Sequence, residues 1–451
     1  MQIFTRERAF YPHYFSLFAM IALQNVIVLA MSLSDNLMLG AYGQTALSGA
    51  AAANQIQFLI NQVTMAVGDT LVVLASQYWG QRRTRPIKQA ASVAFPLALG
   101  VGILFFAAIS LFPRPILSLF TSNAAYLDAG CAYLRTVRFT YPIFALTSVA
   151  LALLRSVGTV RIAFTVSIGA LAINCGINYA LIFGRLGAPE LGIAGAAIGT
   201  LTARAFECIA VLTYLFLCDR KLRVRIRELL SPVREITRDY LRLARSTLTV
   251  GAMFGVSTCL QTVILGHLED HAIAANSAAS TIYMFLKVAA IGASSAAAIV
   301  IGEAIGGGEL KRVKEYARTL QGIFVILGLL TSITLYLIRT PLLSLYDGLS
   351  PEALTLAEHF ILVLCLTCIG TTYEMPVLCG IVRGGGDPAF VLKNDFISIW
   401  LIVLPLSALG AFVFGFPPEL VLLTLNSDQL FKCIPAVIKC NRFTWIKRLT
   451  R

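Results

Sequence analysis

The sequence predicts an all-α polytopic membrane protein, with twelve transmembrane helices in two pseudo-symmetric six-helix lobes, residues 1–225 and 226–451. Three observations carry this. The 451 residues are 57% hydrophobic and only 13% charged, against about 45–50% and about 25% in a soluble domain. Apolar runs long enough to cross the hydrocarbon, about 20 residues each, recur along the whole chain. The second half repeats the first in sequence. The composition alone, with a mean hydropathy of +0.78, excludes an ordinary cytosolic enzyme, a disordered chain and a disulfide-stapled secreted module.

The runs fall at roughly 15–38, 47–78, 90–112, 127–154, 162–184, 191–217, 240–266, 271–302, 316–338, 354–381, 392–413 and 418–437. The first is about 24 residues long, beyond the roughly 7–15 of a signal-peptide core, so it is expected to be an uncleaved membrane helix. The second, fourth, eighth and tenth are long and start with small or polar residues, as interfacial or tilted turns do.

Lys and Arg set the orientation. With the N-terminus inside, 29 of the 36 basic residues fall in inner segments, nine of them between Arg220 and Arg245. Arg114, Arg185 and Arg339 are outside, and Arg135, Arg138, Arg204 and Lys287 fall within helices. Both termini are therefore expected in the cytoplasm, in a bacterial inner membrane. The net charge of +13 reads as this loop bias, with no nucleic-acid partner expected. The basic stretch at about 218–239 reads as a solvated linker rather than a lipid-binding helix. The ten Cys mostly sit within apolar runs and behave as small hydrophobes. Cys365 and Cys368 have the spacing of a metal or redox pair, but no second pair follows, and the four His form no cluster, so no metal is expected.

A shift of 226 residues lays 37–56 over 263–282, Gly80 over Gly306, Lys88 over Lys314 and 115–120 over 341–346. From Asp35 to Phe120, 16 of 86 pairs are identical without a gap, about twice what the composition gives by chance. A slip of two then pairs Arg155 with Arg383 and Gly158 with Gly386. Six helices per half is an even number, so the repeats are parallel. Transporters built this way bind substrate between the halves.

An ionisable group inside a membrane is costly, and function is its default reading. Asp35 lies near the outer end of the first run, with Gln24 three turns below on nearly the same face. Asn174 and Asn178 share a face of the fifth run. Thr200 lies at matching depth in the sixth. These four, Asp35, Asn174, Asn178 and Thr200, are expected to converge on one polar pocket that suits a proton or a hard monovalent cation. Gln24, Asn61, Asp69, Gln261, Lys287 and Glu374 are the candidates for a substrate cavity. Asp69 either faces that cavity or pairs with an Arg. Lys287 occupies the repeat position of Asn61, and Glu374 immediately precedes the helix-bending Met375-Pro376 step. Both are expected to face the cavity of the second lobe, where they are candidates to pair. Arg204 and Glu207 form an i,i+3 couple, and Glu269 and Glu303 sit near helix ends. The Gly runs 306–308 and 384–386 read as tight turns, without the lysine-serine pattern of a phosphate loop.

The segments Asp35-Asn-Leu-Met-Leu-Gly40, "VLASQYWGQ" (73–81), "NCGINYALIFG" (174–184), "GIAGAAIGTLTAR" (192–204), "VIGEAIGGGE" (300–309) and "IVRGGGDP" (381–388) together resemble the MATE (multidrug and toxic compound extrusion) family over essentially the whole chain. The resemblance implies an antiporter that expels organic cations, or other amphipathic small molecules, in exchange for H+ or Na+. It also implies that the acid at Asp35 binds the coupling ion. Several branches of the family carry a second Asp where this chain has Asn178, so here the site holds one carboxylate. No cofactor beyond the coupling ion is implied, and a monomer is expected. The same superfamily includes lipid-linked oligosaccharide flippases. That alternative needs a strongly basic cavity, for which the helices offer only Lys287 and three Arg. A membrane-embedded enzyme needs a convergent catalytic set, and none is visible.

Overall fold

The computed structural model describes residues 4–450 apart from 122, 230, 267–269 and 344–350, and describes no side chains at 266, 270–274 and 277. Glu269 therefore lies outside the described residues. Every regular element among the described residues is helical. Eleven helices are long and apolar enough to span a membrane, and one bent pair makes a twelfth. In order they are α1 (Phe10–Tyr42), α2 (Gln44–Gly80), α3 (Thr84–Leu111), α4 (Ala124–Val137 continued by Thr140–Ser156), α5 (Arg161–Ile182), α6 (Ile193–Cys218), α7 (Arg234–Gly266), α8 (Asp270–Gly306), α9 (Leu310–Leu343), α10 (Pro351–Val382), α11 (Pro388–Phe412) and α12 (Pro418–Arg442).

Several helices outrun the apolar runs that mark them. The 37 residues of α2 reach roughly 55 Å at 1.5 Å per residue, well beyond a hydrocarbon layer of about 30 Å. Their polar and basic end turns remain helical because the backbone bonds are local. α4 bends by 53° between Val137 and Thr140. Pro142 has no N–H to give the carbonyl of Arg138, which frees the backbone at that point. Gly102 of α3 lies against this bend, where a Cβ would stand 2.8 Å from Pro142 Cα. The break thus takes a glycine opposite it.

The chain forms two compact units. The N-unit is Leu23–Ala252, and the C-unit is Met1–Ala22 with Met253–Arg451. The boundaries fall inside α1 and α7 rather than at the 225/226 junction, so each of these helices contributes to both units. The start of α1 belongs to the C-unit through specific bonds. Thr5 N donates to Thr319 Oγ1 at 2.8 Å, Arg312 Nε reaches Glu7 at 2.9 Å, and the Tyr14 hydroxyl donates to the Ala293 carbonyl at 3.4 Å. His13 stands 2.9 Å from Glu303. Correspondingly, the start of α7 is held in the N-unit, where the Tyr240 hydroxyl donates to Val67 O at 2.8 Å.

The N-unit core gathers Leu39, Ile56, Ile60, Leu134, Tyr141 and Ile182 from α1, α2, α4 and α5. The C-unit core gathers Ile282, Leu335, Phe360, Ile361 and Val421 from α8, α9, α10 and α12. Small residues let the helices approach closely in both.

In the C-unit the segment after α12 folds back onto the turn between α10 and α11. Trp445 is fully buried, and its ring fills the space that a Gly385 side chain would need. Lys447 N donates to Gly385 O at 2.9 Å, and Gly386 turns the chain at φ +99°. Asp387 receives Lys447 Nζ at 2.8 Å and Lys439 Nζ at 2.9 Å. Burial alone would raise the Asp387 carboxyl, but the two lysines hold it below the ordinary carboxylate range. Its folded-state pKa is depressed, so its stabilisation is present above the unfolded value of about 4 and fades as pH falls below that. Asp387→Asn is expected to lower the melting temperature by about 3 °C at pH 7. The gap to wild type is expected to close in thermal scans taken progressively below pH 4, and a constant gap would exclude this account.

Candidate functional site

Three helices of the N-unit bring the expected polar set together. α1 supplies Asp35, α5 supplies Asn174 and Asn178 one turn apart, and α6 supplies Thr200. Both Asn side chains are fully buried. Asn178 Nδ2 donates to Asp35 Oδ1 at 2.5 Å and to Asn174 Oδ1 at 3.3 Å. Thr200 Oγ1 donates to the other carboxylate oxygen, Asp35 Oδ2, at 3.5 Å. Asn178 Oδ1 is buried without a hydrogen-bond partner. It lies where a side chain on Gly199 would have to be, so the glycine makes room for the amide. The site therefore holds one carboxylate, two donors aimed at it, and a free amide oxygen beside it.

Arg204, one turn beyond Thr200, is the cation whose charge acts on Asp35. It is committed elsewhere: it pairs with Glu207 at 2.9 Å and lies over the Phe144 ring at 5.0 Å. Asp35 thus feels a positive field without being bonded by the guanidinium. The expected couple of Arg204 and Glu207 is present.

The substrate-cavity candidates do not form one cluster. Asp69 pairs with Arg155 at 3.6 Å, the second of the two alternatives. Gln57 Nε2 donates to Asn61 Oδ1 at 2.8 Å along α2. Gln24 is half-buried in the N-unit, and Gln261 is half-buried in the C-unit. Gln261 occupies the repeat position of Asp35, so the second half carries a neutral amide where the first carries the acid.

The C-unit instead holds a charged cluster that the pattern of apolar runs hides. Lys432, 4% exposed, binds Asp395 and Asp428 at 2.9 Å each. Lys432 is thus buried within α12 rather than free in an inner segment, a correction to the count of inner basic residues. Glu374 and Lys287 lie within electrostatic range of this centre. Among the described residues, however, neither has an ion-pair partner within 4.0 Å, so they do not pair directly. Lys287 Nζ lies 6.0 Å from the ring centres of Phe254 and Tyr283. The Tyr283 hydroxyl donates to Thr371 Oγ1 at 2.9 Å, and Thr371 in turn bonds Gln429.

Backbone irregularity coincides with the cluster. Glu374 lies two residues before a π-helical turn at Pro376–Val382, and Asp395 immediately precedes another at Phe396–Val403. α12 is broken at Asn426–Ser427 and again at Lys432. Widened turns of this kind are frequent at functional positions in helices. Two signals point to the cluster in the sequence. Asp428 and Lys432 are four apart in an apolar run, and with the slip of two they lie over Thr200 and Arg204.

Comparison with known proteins agrees with the fold. A sequence profile of the MatE family matches residues 21–180 and 247–409, one stretch in each half. The chain belongs to the MatE family, and so is a multi-pass membrane transporter of small molecules. It is 24% identical over 446 residues to the uncharacterized transporter YisQ of Bacillus subtilis, covering 96% of this chain and 95% of that one. It is 26% identical to the probable multidrug resistance protein NorM of Pseudomonas aeruginosa, over 86% of this chain and 80% of that one. In fold it resembles an outward-facing multidrug resistance MATE family transporter of the MOP superfamily, with a TM-score of 0.87 and 15% identity over 97% and 96% of the two chains. A mutant of the Vibrio cholerae MATE transporter VcmN matches with a TM-score of 0.86 and 17% identity over 97% and 98%.

Proposed function

We propose that this chain is a secondary efflux antiporter that exports organic, mostly cationic compounds in exchange for H+ or Na+ by alternating access. The relatives named for multidrug resistance support the cargo class. The observation that carries the coupling is the Asp35 site. A half-buried carboxylate among apolar helices, bonded to two neutral donors and flanked by an unpartnered amide oxygen, has room for one positive species and a reason to take it. A proton suits it best. Once protonated, Asp35 becomes a donor, and Asn178 Oδ1 is the acceptor beside it. Na+ would need the Asn178 amide turned so that oxygen rather than N–H faces the ion.

Binding of the ion neutralises Asp35, and that change favours one of two conformations by its differential affinity for them. Asp35, Asn174, Asn178 and Thr200 form the coupling site in this reading, while Gln24, Asn61, Asp69, Gln261, Lys287 and Glu374 serve the substrate path. The basic inner loops favour both termini in the cytoplasm of a bacterial inner membrane.

The test uses the full chain in proteoliposomes loaded with ethidium, with an H+ or a Na+ gradient imposed separately. Ethidium is expected to move against its own gradient under the H+ gradient. Transport under the Na+ gradient alone names Na+ instead. Binding of ethidium without movement under either gradient would remove the antiport reading.

A further inference from the structure

The N-unit places two arginines where the loop bias does not explain them. Arg135 and Arg138 lie three apart on one face of α4, at its 53° bend. Neither has a carboxylate within 4.0 Å among the described residues. The acid two turns earlier on α4, Asp128, is taken by Arg114 at 3.0 Å. Arg138 Nε is buried without a hydrogen-bond partner. The guanidinium rests instead on two aromatic rings, with Cζ 5.7 Å from the centre of Phe106 and 5.2 Å from that of Phe139. The two ring centres are 5.3 Å apart. The fold does not call for these charges. The repeat positions in α10 are Ile361 and Leu364, or Val363 and Leu366 with the slip of two, and all four are apolar. The depth of the pair follows from α3, whose last charged residue is Lys88, at the end beside the basic loops. About 20 residues cross the hydrocarbon, which puts the far boundary near Ala108, within a turn of Phe106. Ile103, Leu104, Leu111 and Phe139 are exposed apolar side chains around the rings, as a lipid-facing surface of a membrane helix requires. The arginines thus stand at the level of the lipid phosphates, on a surface that bilayer lipid itself covers.

We propose that Arg135, Arg138 and the Phe106–Phe139 ring pair form a binding site for the phosphate of a membrane glycerophospholipid. A guanidinium in this position is costly without an anion, and a phosphodiester supplies the one that no side chain supplies. The planar fork of Arg138 takes two phosphate oxygens while its face stays on the rings. Arg135, on the same face, adds a second charge. The acyl chains lie along the apolar surface of α3 at Ile103 and Leu104. A lipid held in this way ties α3 to the bend of α4. The site uses none of the residues assigned to coupling or to the substrate path, so it stands or falls independently of the efflux reading.

Dioleoyl phosphatidylglycerol and dioleoylglycerol share their acyl chains and differ in the phosphate headgroup. Each is titrated into delipidated full-length protein in detergent, and bound lipid is counted by native mass spectrometry. Wild type is expected to bind the phosphatidylglycerol at least about tenfold more tightly than the diacylglycerol. Arg138→Met is expected to weaken phosphatidylglycerol about tenfold, the effect of losing a charged hydrogen bond, and to leave the diacylglycerol within about twofold. Arg138→Lys is expected to recover only part of the loss, because an ammonium lacks the planar fork and the stacking face. Arg135→Met carries the same prediction at about threefold and serves as the test if Arg138→Met does not fold. Arg114→Met removes an arginine already paired near the same surface and is expected to leave both lipids unchanged. Equal affinity of wild type for the two lipids, unchanged binding in both Arg138→Met and Arg135→Met, or an equal loss in Arg114→Met would overturn the site. Displacement of phosphatidylglycerol by an excess of inorganic phosphate would overturn it as well, by assigning the arginines to a soluble anion.

Discussion

Lys432→Met is expected to destabilise the protein by about 3–5 kcal/mol, the cost of breaking a buried ion pair by removing one partner. The side chains involved are 4%, 18% and 12% exposed for Lys432, Asp395 and Asp428. Without the ammonium, two carboxylates remain close together in a low-dielectric interior with nothing to offset either. The consequence is a melting temperature lower by on the order of 10 °C in detergent. A triple variant, Lys432→Met with Asp395→Asn and Asp428→Asn, removes every charge of the triad. It is expected to recover most of the loss, because neutral groups of the same shape carry little desolvation cost. Equal melting temperatures for wild type and Lys432→Met would show that the triad is solvated and contributes nothing.

Asp35→Asn is expected to reduce gradient-driven ethidium efflux at least about a hundredfold, equivalent to about 2.7 kcal/mol of lost driving stabilisation. The substitution is nearly isosteric, so Asn178 and Thr200 keep a partner and the fold is preserved. It removes only the ability to gain and lose a positive charge. Ethidium binding to purified Asp35→Asn is therefore expected to stay within about threefold of wild type, while movement under the gradient disappears. An Asp35→Asn protein that transports as well as wild type would reduce the carboxylate to a structural hydrogen-bond acceptor. The coupling group would then be sought at Glu374.

These two variants probe centres of unequal legibility. The Asp35 site could be read from the sequence because its signals are local and additive: an acid in an apolar run, two Asn at i,i+4, and a Thr at the same depth. The membrane forces all of them inward, so shared depth brings them near one another. The Lys432 centre was concealed by the rule that found the topology. Basic residues near the end of a run count as inner loop, and Lys432 falls five residues before the end of the run at 418–437, which continues as α12 through Arg442. Asp395 is hidden in the same way, just before the apolar turn Phe396–Val403.

Helix number and order were legible for the same physical reason: hydrocarbon thickness fixes a minimum apolar length. Helix ends were not, because backbone bonding continues past the apolar stretch. The boundary between the compact units was invisible for a different reason. It depends on which partner each end of α1 and α7 finds, and apolar periodicity does not distinguish partners.

The shared helix α1 also bears on how the protein is made. Thr5 and Thr319 are 314 positions apart, and His13 and Glu303 are 290 apart. At a synthesis rate of about 5–20 residues per second, the first segment waits roughly 15–60 s for these partners to leave the ribosome. During that interval Phe10, Tyr14 and Phe18, stacked along one face in the finished structure, have only lipid or insertion machinery to cover them. The start of α1 thus acquires its final neighbours only after some 290–314 further residues have been made, and closure of the C-unit is a late event in biogenesis.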